Sequence, residues 1–509
     1  MNFIQALENE LNRSVTENGA LGLRTTGKAL LDMNFKVTSY RNSSEEEIIN
    51  DFTKSLSEDF VNTMLWLFFC RDIREGLGER RTFRVIMEYL SKNYTEIVIG
   101  LLPLIPEYGR WDDLTYLIGS NPYVDNKIIS IIGKQLFSDI ENMGNKKPIS
   151  LLGKWLPSEN ASSVKTKRLA TFIRLQLSFT SKEYRKVLSN LRKYLNVVEK
   201  NMSANKWKDI EYESVPSKAN LIYSNAFLKH DEERRVAYLN GVKDGTKKIN
   251  SSTNYPYEII HKYRGTGLNV DNTMEELWKA LPKLPLADNT LVVADGSGSM
   301  MSRVSTSTNA TALDVANSLA IYCAENAKGP YHNKYITFSY KPRYVDFNNC
   351  KTLKDKIMYA QVHNEVSNTN IEAVFDLILH TAVDNNLTKD ELPKNVLIIS
   401  DMEFDAARTN CLYYNEHANE EQDRLFKLIR TKYSKKGYEL PKLIFWNVCS
   451  RTNTIPVKEN KQGVALVSGF SQNILKMVMS DNLDAYGILT ETLNSDRYKP
   501  VKGIVENYR

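Results

Sequence analysis

A chain of 509 residues with 42% apolar side chains is too long for one hydrophobic core and has ample material for about three. Its longest apolar run, Met64 to Cys70, is far short of the ~20 residues of a membrane span, and the opening MNFIQALENELNRS is amphipathic and acidic rather than a secretion signal, so no membrane and no export are expected. The net charge of +6 is modest but uneven: residues 1–285 hold 41 basic against 35 acidic side chains, and 286–509 hold 26 of each.

From the N-terminus, apolar residues recur at three- and four-residue spacing over Glu45–Leu56, Asp59–Arg71, Arg81–Lys92, Glu96–Leu102, Asp112–Leu117, Lys127–Asn142, Lys165–Phe179 and Ser181–Met202. Ser44 ahead of three glutamates, Gly76, Gly78, Pro103, Pro106, Gly109, Pro122, Pro148 and Pro157 supply caps and breaks between them. Strand-like alternation is nearly absent. Residues 1–285 therefore read as one all-α domain, a helical-repeat array of solenoid or ring-like form.

The texture changes near Leu284. Leu291–Ala294, Tyr335–Ser339, Val396–Ser400, Leu443–Val448 and Val464–Val467 are short apolar runs, and helical patterns at Ala310–Asn326, Ile371–Asn385, Glu421–Tyr433 and Gln472–Asp481 alternate with them. Continuous apolar strands alternating with helices predict a doubly wound α/β domain over 286–509, its sheet covered on both faces. Residues after about 483 show no clear pattern and are expected to pack back on the helices.

Cys70, Cys323, Cys350, Cys411 and Cys449 are odd in number, scattered and never in a CxxC pair, which excludes a disulfide framework and a zinc ribbon. Buried reduced thiols in a cytoplasmic compartment fit better. The six histidines never fall at HxxxH spacing.

The first strand of the α/β domain runs straight into Asp295-Gly-Ser297-Gly-Ser299. One carboxylate and two hydroxyls on alternate residues of a tight loop project one way, and ligands of doubly wound sheets bind at the carboxyl ends of strands. Thr369 precedes a helix, and Asp401 follows the strand Val396–Ser400. An all-oxygen set suits a hard cation, Mg²⁺ first, with Mn²⁺ or Ca²⁺ as substitutes. The order DxSxS, threonine, aspartate resembles the metal-ion-dependent adhesion site of von Willebrand A domains. That resemblance implies direct coordination by Ser297, Ser299 and Thr369, with Asp295 and Asp401 acting through water. Met402-Glu403 departs from the glycine common after the aspartate in that family.

Such a site favours binding over catalysis, because hydroxyl ligands leave the ion electrophilic toward a partner's Asp or Glu, or a phosphate. The GxSxG elbow and the GxxxxGK[ST] phosphate loop are both absent. The chain is not expected to be an enzyme, a metal-dependent hydrolase being the least favoured of three readings.

Two basic regions stand out. Residues 151–200 hold eleven basic and three acidic side chains, with Lys165, Lys167, Arg168, Lys182, Arg185, Lys186, Arg192 and Lys193 on two helical patterns. Arg71, Arg74, Arg80, Arg81 and Arg84 cluster at a glycine-containing junction, and Arg110 adjoins Trp111. Each region reads either as an anion-binding surface or as a structural one: a solvated helix face, or arginines neutralised by Glu75, Glu79, Asp112 and Asp113.

The stretches GERR (78–81), PLIPEYGRWDDL (103–114), VPSKA (215–219) and KHD (229–231), taken with the metal motif, resemble the TROVE helical module of Ro ribonucleoproteins over roughly residues 20–480. They are closer still to an uncharacterised relative family that couples such helices to a von Willebrand A domain. The resemblance implies RNA binding, to single-stranded ends or small structured RNA, in a scaffold or RNA quality-control role. The alternative is a metal-dependent protein-interaction module without RNA, whose partner donates an acidic side chain to the ion.

Overall fold

The computed structural model describes residues 2–19, 21–265, 267, 270–284, 286–339, 341–364, 371–404, 421–456, 464–478 and 484–508. The chain forms two compact units, an α/β unit of Met1–Thr63 with Asn254–Ser495 and a helical unit of Met64–Thr253 with Asp496–Arg509. The change from helices to strand–helix alternation near residue 286 is one of local texture, and the units divide elsewhere. Everything before residue 64, and the helices Pro256–Arg264 and Asn272–Lys279, group with the sheet.

The helical unit contains no strand among its described residues. The helix Arg80–Asn93 shows why its sequence folds so: Phe83, Ile86, Met87 and Leu90 share one buried face. Pro122 starts the helix Pro122–Gly144 at its first turn, where its missing N–H costs nothing, and the Asn121 side chain accepts the Tyr123 amide. Ser163 caps Val164–Gln176, and Thr180 with Glu183 forms a capping box on Ser181–Tyr194. The single helix expected over Ser181–Met202 is two, Ser181–Tyr194 and Val198–Ser203. Asn196 breaks it at φ +49, a left-handed conformation that asparagine tolerates better than most residues.

Of the residues after 483 expected to pack on the helices, Asp496–Arg509 belong to this unit, whereas the helix Ala485–Leu493 groups with the sheet. Tyr498 is buried and stacks on Tyr108 at a ring separation of 5.8 Å, and Arg497 pairs with Asp72 at 2.7 Å. Asp113 anchors a second polar centre: Arg71 donates to it at 2.8 and 2.6 Å, Arg84 at 2.7 Å, and the Arg110 amide at 3.0 Å.

The α/β unit carries a short antiparallel hairpin, β1 (Arg13–Val15) and β2 (Leu21–Leu23), and a six-stranded sheet. The sheet consists of β3 (Thr290–Asp295), β4 (Lys334–Phe338), β5 (Tyr344–Asp346), β6 (Asn395–Ser400), β7 (Lys442–Asn447) and β8 (Val464–Ser468), in the order β5-β4-β3-β6-β7-β8. Every neighbouring pair is parallel except β4 and β5. Leu291 lies opposite Val396, and Val396 opposite Leu443, so three apolar runs meet in register.

The hairpin, the edge strand β5 and the helix Leu353–His363 have no counterpart in the sequence expectation. The helix Ala312–Asn326 packs on β3, β4 and β6 and on the helix Pro256–Arg264, and its alanines suit burial along nearly its whole length. Chain order reverses between β3 and β6, so their carboxyl ends border the crevice at the topological switch point.

Candidate metal centre

At the end of β3, Asp295 is fixed from two sides. Its Oδ1 accepts the Ser297 amide at 2.9 Å, and its Oδ2 accepts the Ser400 hydroxyl at 2.6 Å. Gly296 is needed for close approach, since a Cβ there would stand 3.0 Å from Asn364 Oδ1 and 3.2 Å from Asn364 Cα. The chain then turns through a short 3₁₀ segment, Gly298–Met301, which brings the Ser297 and Ser299 hydroxyls within 2.9 Å of each other. Asp295 and Ser297 are buried and Ser299 half-buried.

At the end of the adjacent β6, Asp401 is 1% exposed. Its Oδ1 accepts the Glu403 amide at 3.2 Å, whereas its buried Oδ2 accepts no hydrogen bond and has Arg451 at 3.4 Å. Burial first, and then the Asp295 carboxylate, push the Asp401 carboxyl up to about 7, against the Glu403 amide, Arg451 and the Ser299 hydroxyl. Two buried carboxyls, two hydroxyls and one orphaned oxygen thus converge across the switch point. Arg451 offsets one of the two carboxylates from the side, and a small oxygen-seeking cation among the hydroxyls would balance the rest.

Met402 takes φ +63, a left-handed conformation that glycine would adopt without cost. Glu403 is fully buried, and its carboxylate accepts the amides of Glu17 at 2.8 Å, Arg451 at 2.8 Å and Thr452 at 2.9 Å, with the Thr452 hydroxyl at 3.0 Å. One buried acid so clasps the β1–β2 turn to the loop after β7. The hairpin is further held by Asn18 on the Glu403 carbonyl, Thr16 on the Phe404 carbonyl, and a bridge from Leu23 to Ile455.

Above the clasp, Arg451 bonds the Ser299 carbonyl at 2.9 Å, the Ser302 hydroxyl, and Glu17 at 2.5 Å. Glu17, Arg451 and Glu403 are the residues sequence reasoning missed as parts of this site. Only Glu403 left a signal, as a departure from the expected glycine.

Thr369 lies outside the described residues, as does Cys411. Cys70, Cys323 and Cys449 are buried and Cys350 is half-buried, all as free thiols. No group of three or more His, Cys, Asp or Glu side chains able to hold a metal occurs among the described residues. The centre at the strand ends has two carboxyls and takes its remaining donors from serines.

Of the basic residues singled out, Lys165, Lys167, Arg168, Lys182, Arg185, Lys186 and Lys193 are exposed on the helices Val164–Gln176 and Ser181–Tyr194. Arg192 is not a free surface cation: it donates to the Gly153 and Leu156 carbonyls at 2.9 and 2.7 Å and to the Ser158 hydroxyl at 2.8 Å. In the other cluster, Arg80 pairs with Asp112 at 3.2 Å, and Arg84 pairs with Asp113 at 2.7 Å and lies over the Tyr116 ring. Arg74 donates to the Glu107 carbonyl at 2.6 Å, and Arg81 is half-buried. The cation beside an indole is realised by Arg110 over Trp155, 4.5 Å from the ring centre, rather than over its neighbour Trp111. The structure thus draws Arg74, Arg80 and Arg84 into internal contacts and leaves Lys165, Lys167, Arg168, Lys182, Arg185, Lys186 and Lys193 at the surface.

Two family models match the chain: Domain of unknown function (DUF7788) over residues 289–499 and Domain of unknown function (DUF2828) over residues 174–294. The first spans every strand of the main sheet and both aspartates of the centre. The second spans the helix Ser181–Tyr194. A relative from Acanthamoeba polyphaga mimivirus, Uncharacterized protein L728, is 31% identical over 92% of this chain and 85% of its own length.

Proposed function

This chain belongs to the same protein family as the mimivirus protein L728, and from that premise we propose that its α/β unit is a von Willebrand A-type domain that binds an acidic ligand through a divalent cation. The observation that carries this reading is the pairing of Asp295 with Asp401 at the switch point, two buried carboxyls beside two serine hydroxyls with Asp401 Oδ2 left unbonded. Ser297 and Ser299, with Thr369, are the direct ligands in this reading, and Asp295 and Asp401 balance the charge. A bound Mg²⁺ or Mn²⁺ supplies an electrophile for an external carboxylate or phosphate oxygen. The protein's own part is to hold the donors still: Ser400 and the Ser297 amide fix Asp295, and the Glu403 amide fixes Asp401. Binding rather than catalysis is the reading, since hydroxyl donors leave the cation electrophilic toward an external acidic oxygen.

The helical unit, in the same proposal, is a Ro-like helical-repeat module, of solenoid or ring-like form, that binds single-stranded or small structured RNA in a ribonucleoprotein scaffold or RNA quality-control role. The observation favouring it is the row of exposed cations from Lys165 to Lys193, whose charges are available to phosphates. A protein-interaction module without RNA is the alternative. Paramagnetic titration with Mn²⁺ tests the metal half: one site of modest affinity per chain is expected, lost in Asp295→Ala, and undiminished binding in that variant refutes it. Filter retention of single-stranded RNA tests the other half. Retention that weakens with salt supports RNA binding, and no retention at low salt leaves the interaction module as the function.

A further inference from the structure

Glu17 and Arg451 are joined by the buried clasp of Glu403, which takes the backbone amide of each at 2.8 Å. Their side chains meet at 2.5 Å, and the same guanidinium stands 3.4 Å from the unbonded Asp401 Oδ2. Glu17 is 57% exposed and Arg451 29%, so the pair lies at the mouth of the centre and is open to solvent. Local pairing gives the two side chains a meaning. Asp295 and Asp401 together cancel a dication, and the buried Glu403 carboxylate is met by three backbone amides and the Thr452 hydroxyl. At the mouth the Arg451 guanidinium faces the Glu17 carboxylate, and with Glu17 removed it would be open to an acidic group from outside.

We propose that Arg451 is a second anchor of the acid-binding mouth, and that Glu17 is the resident carboxylate which an external carboxylate displaces. The proposal rests on the divalent-cation reading above. In it, an incoming carboxylate places one oxygen toward the cation and accepts from the Arg451 guanidinium with the other, a planar fork suited to such a group. The hairpin β1–β2 is then a built-in competitor. Its backbone stays clasped through Glu403 while the Glu17 side chain alone is exchanged. Ligands with a single carboxylate fit this mouth, and neutral or cationic partners do not.

The test uses the full chain saturated with Mn²⁺ and acetate as the probe, read by the fall in water-proton relaxation as carboxylate replaces metal-bound water. Glu17→Gln, which keeps the backbone clasp, should raise acetate affinity by about two- to fivefold, the weight of a partly exposed ion pair. Arg451→Gln should fall below the wild type, Arg451→Lys should lie between the two, and Glu17→Gln with Arg451→Gln should be no better than Arg451→Gln alone. Unchanged melting temperatures separate this outcome from a structural effect of the pair. A Glu17→Gln response equal to wild type, or a gain that survives in the Arg451→Gln background, overturns the proposal while leaving the metal site intact. Absence of Mn²⁺ binding by the wild-type chain overturns the metal reading and this proposal together.

Discussion

Ser400 stands between the two acids of the centre, donating to Asp295 at 2.6 Å and accepting the Met402 amide at 3.0 Å. It orients one carboxylate and braces the turn that presents the other. Ser400→Ala should therefore weaken Mn²⁺ binding by about 10- to 100-fold, the usual weight of a group that holds a ligand in place, with the fold intact; paramagnetic titration reads it. In the helical unit, burial raises the Asp113 carboxyl, but Arg71 and Arg84 outweigh it and hold the group below its ordinary value of 3.8. A depressed carboxylate contributes stability that is full above its unfolded pKa and is lost as pH falls through the folded one. The unit's acid unfolding should thus steepen below about pH 4. Asp113→Asn should flatten that dependence and cost about 3–5 kcal/mol at neutral pH by stranding the buried Arg71, as thermal melts across pH would show. DxSxS was legible at this scale because alternate residues of one loop carry the chemistry, and Asp401 because it ends an apolar strand. Glu17 and Arg451 were not, since they lie over 400 residues apart in sequence and meet only through the Glu403 clasp.

Elements with a full apolar stripe were read nearly to their ends: Glu45–Leu56 is Glu45–Glu58, and Arg81–Lys92 is Arg80–Asn93. Those that failed carry little pattern. In β5 only Val345 is buried, and β1 and β2 have three residues each, with Gly22 set so close that a Cβ would meet Thr454 Cγ2 at 2.2 Å. Periodicity also passed through Asn196, because one left-handed residue interrupts a helix without disturbing the composition around it. The basic helix Ser181–Tyr194 yields a matched pair of tests. Changing Arg185, Lys186 and Lys193 together to Gln should lower RNA affinity across sequences and flatten its salt dependence by roughly one unit of slope or less per lost phosphate contact, with the melting temperature unmoved. Arg192→Gln should instead lower thermal stability through its three lost hydrogen bonds, by about 1–3 kcal/mol. RNA binding that ignores the triple change would make this surface a solvated face.

For the whole molecule, two units and their α and α/β characters were legible from the change of texture, and their chain composition was not. Nothing local says that the helix Ala29–Phe35 will pack on β8, or Pro256–Arg264 on Ala312–Asn326, because tertiary contacts decide it. A fragment cut at the texture boundary, residues 286–509, leaves both faces exposed and should be insoluble or molten, without the cooperative melt of the full chain. Residues 1–63 joined to 254–495 by a short flexible linker should melt cooperatively and keep the metal site; scanning calorimetry compares the two, and equal cooperativity would contradict the division.

Ligand binding by the α/β unit depends on the cation. Crystals of the full chain soaked in Mn²⁺ and measured for anomalous scattering at the manganese edge test it most directly. One strong peak is expected, bounded by the Ser297 and Ser299 hydroxyls and Asp401 Oδ2, and absent in Asp295→Ala. A peak elsewhere, or none at saturating Mn²⁺, would contradict it.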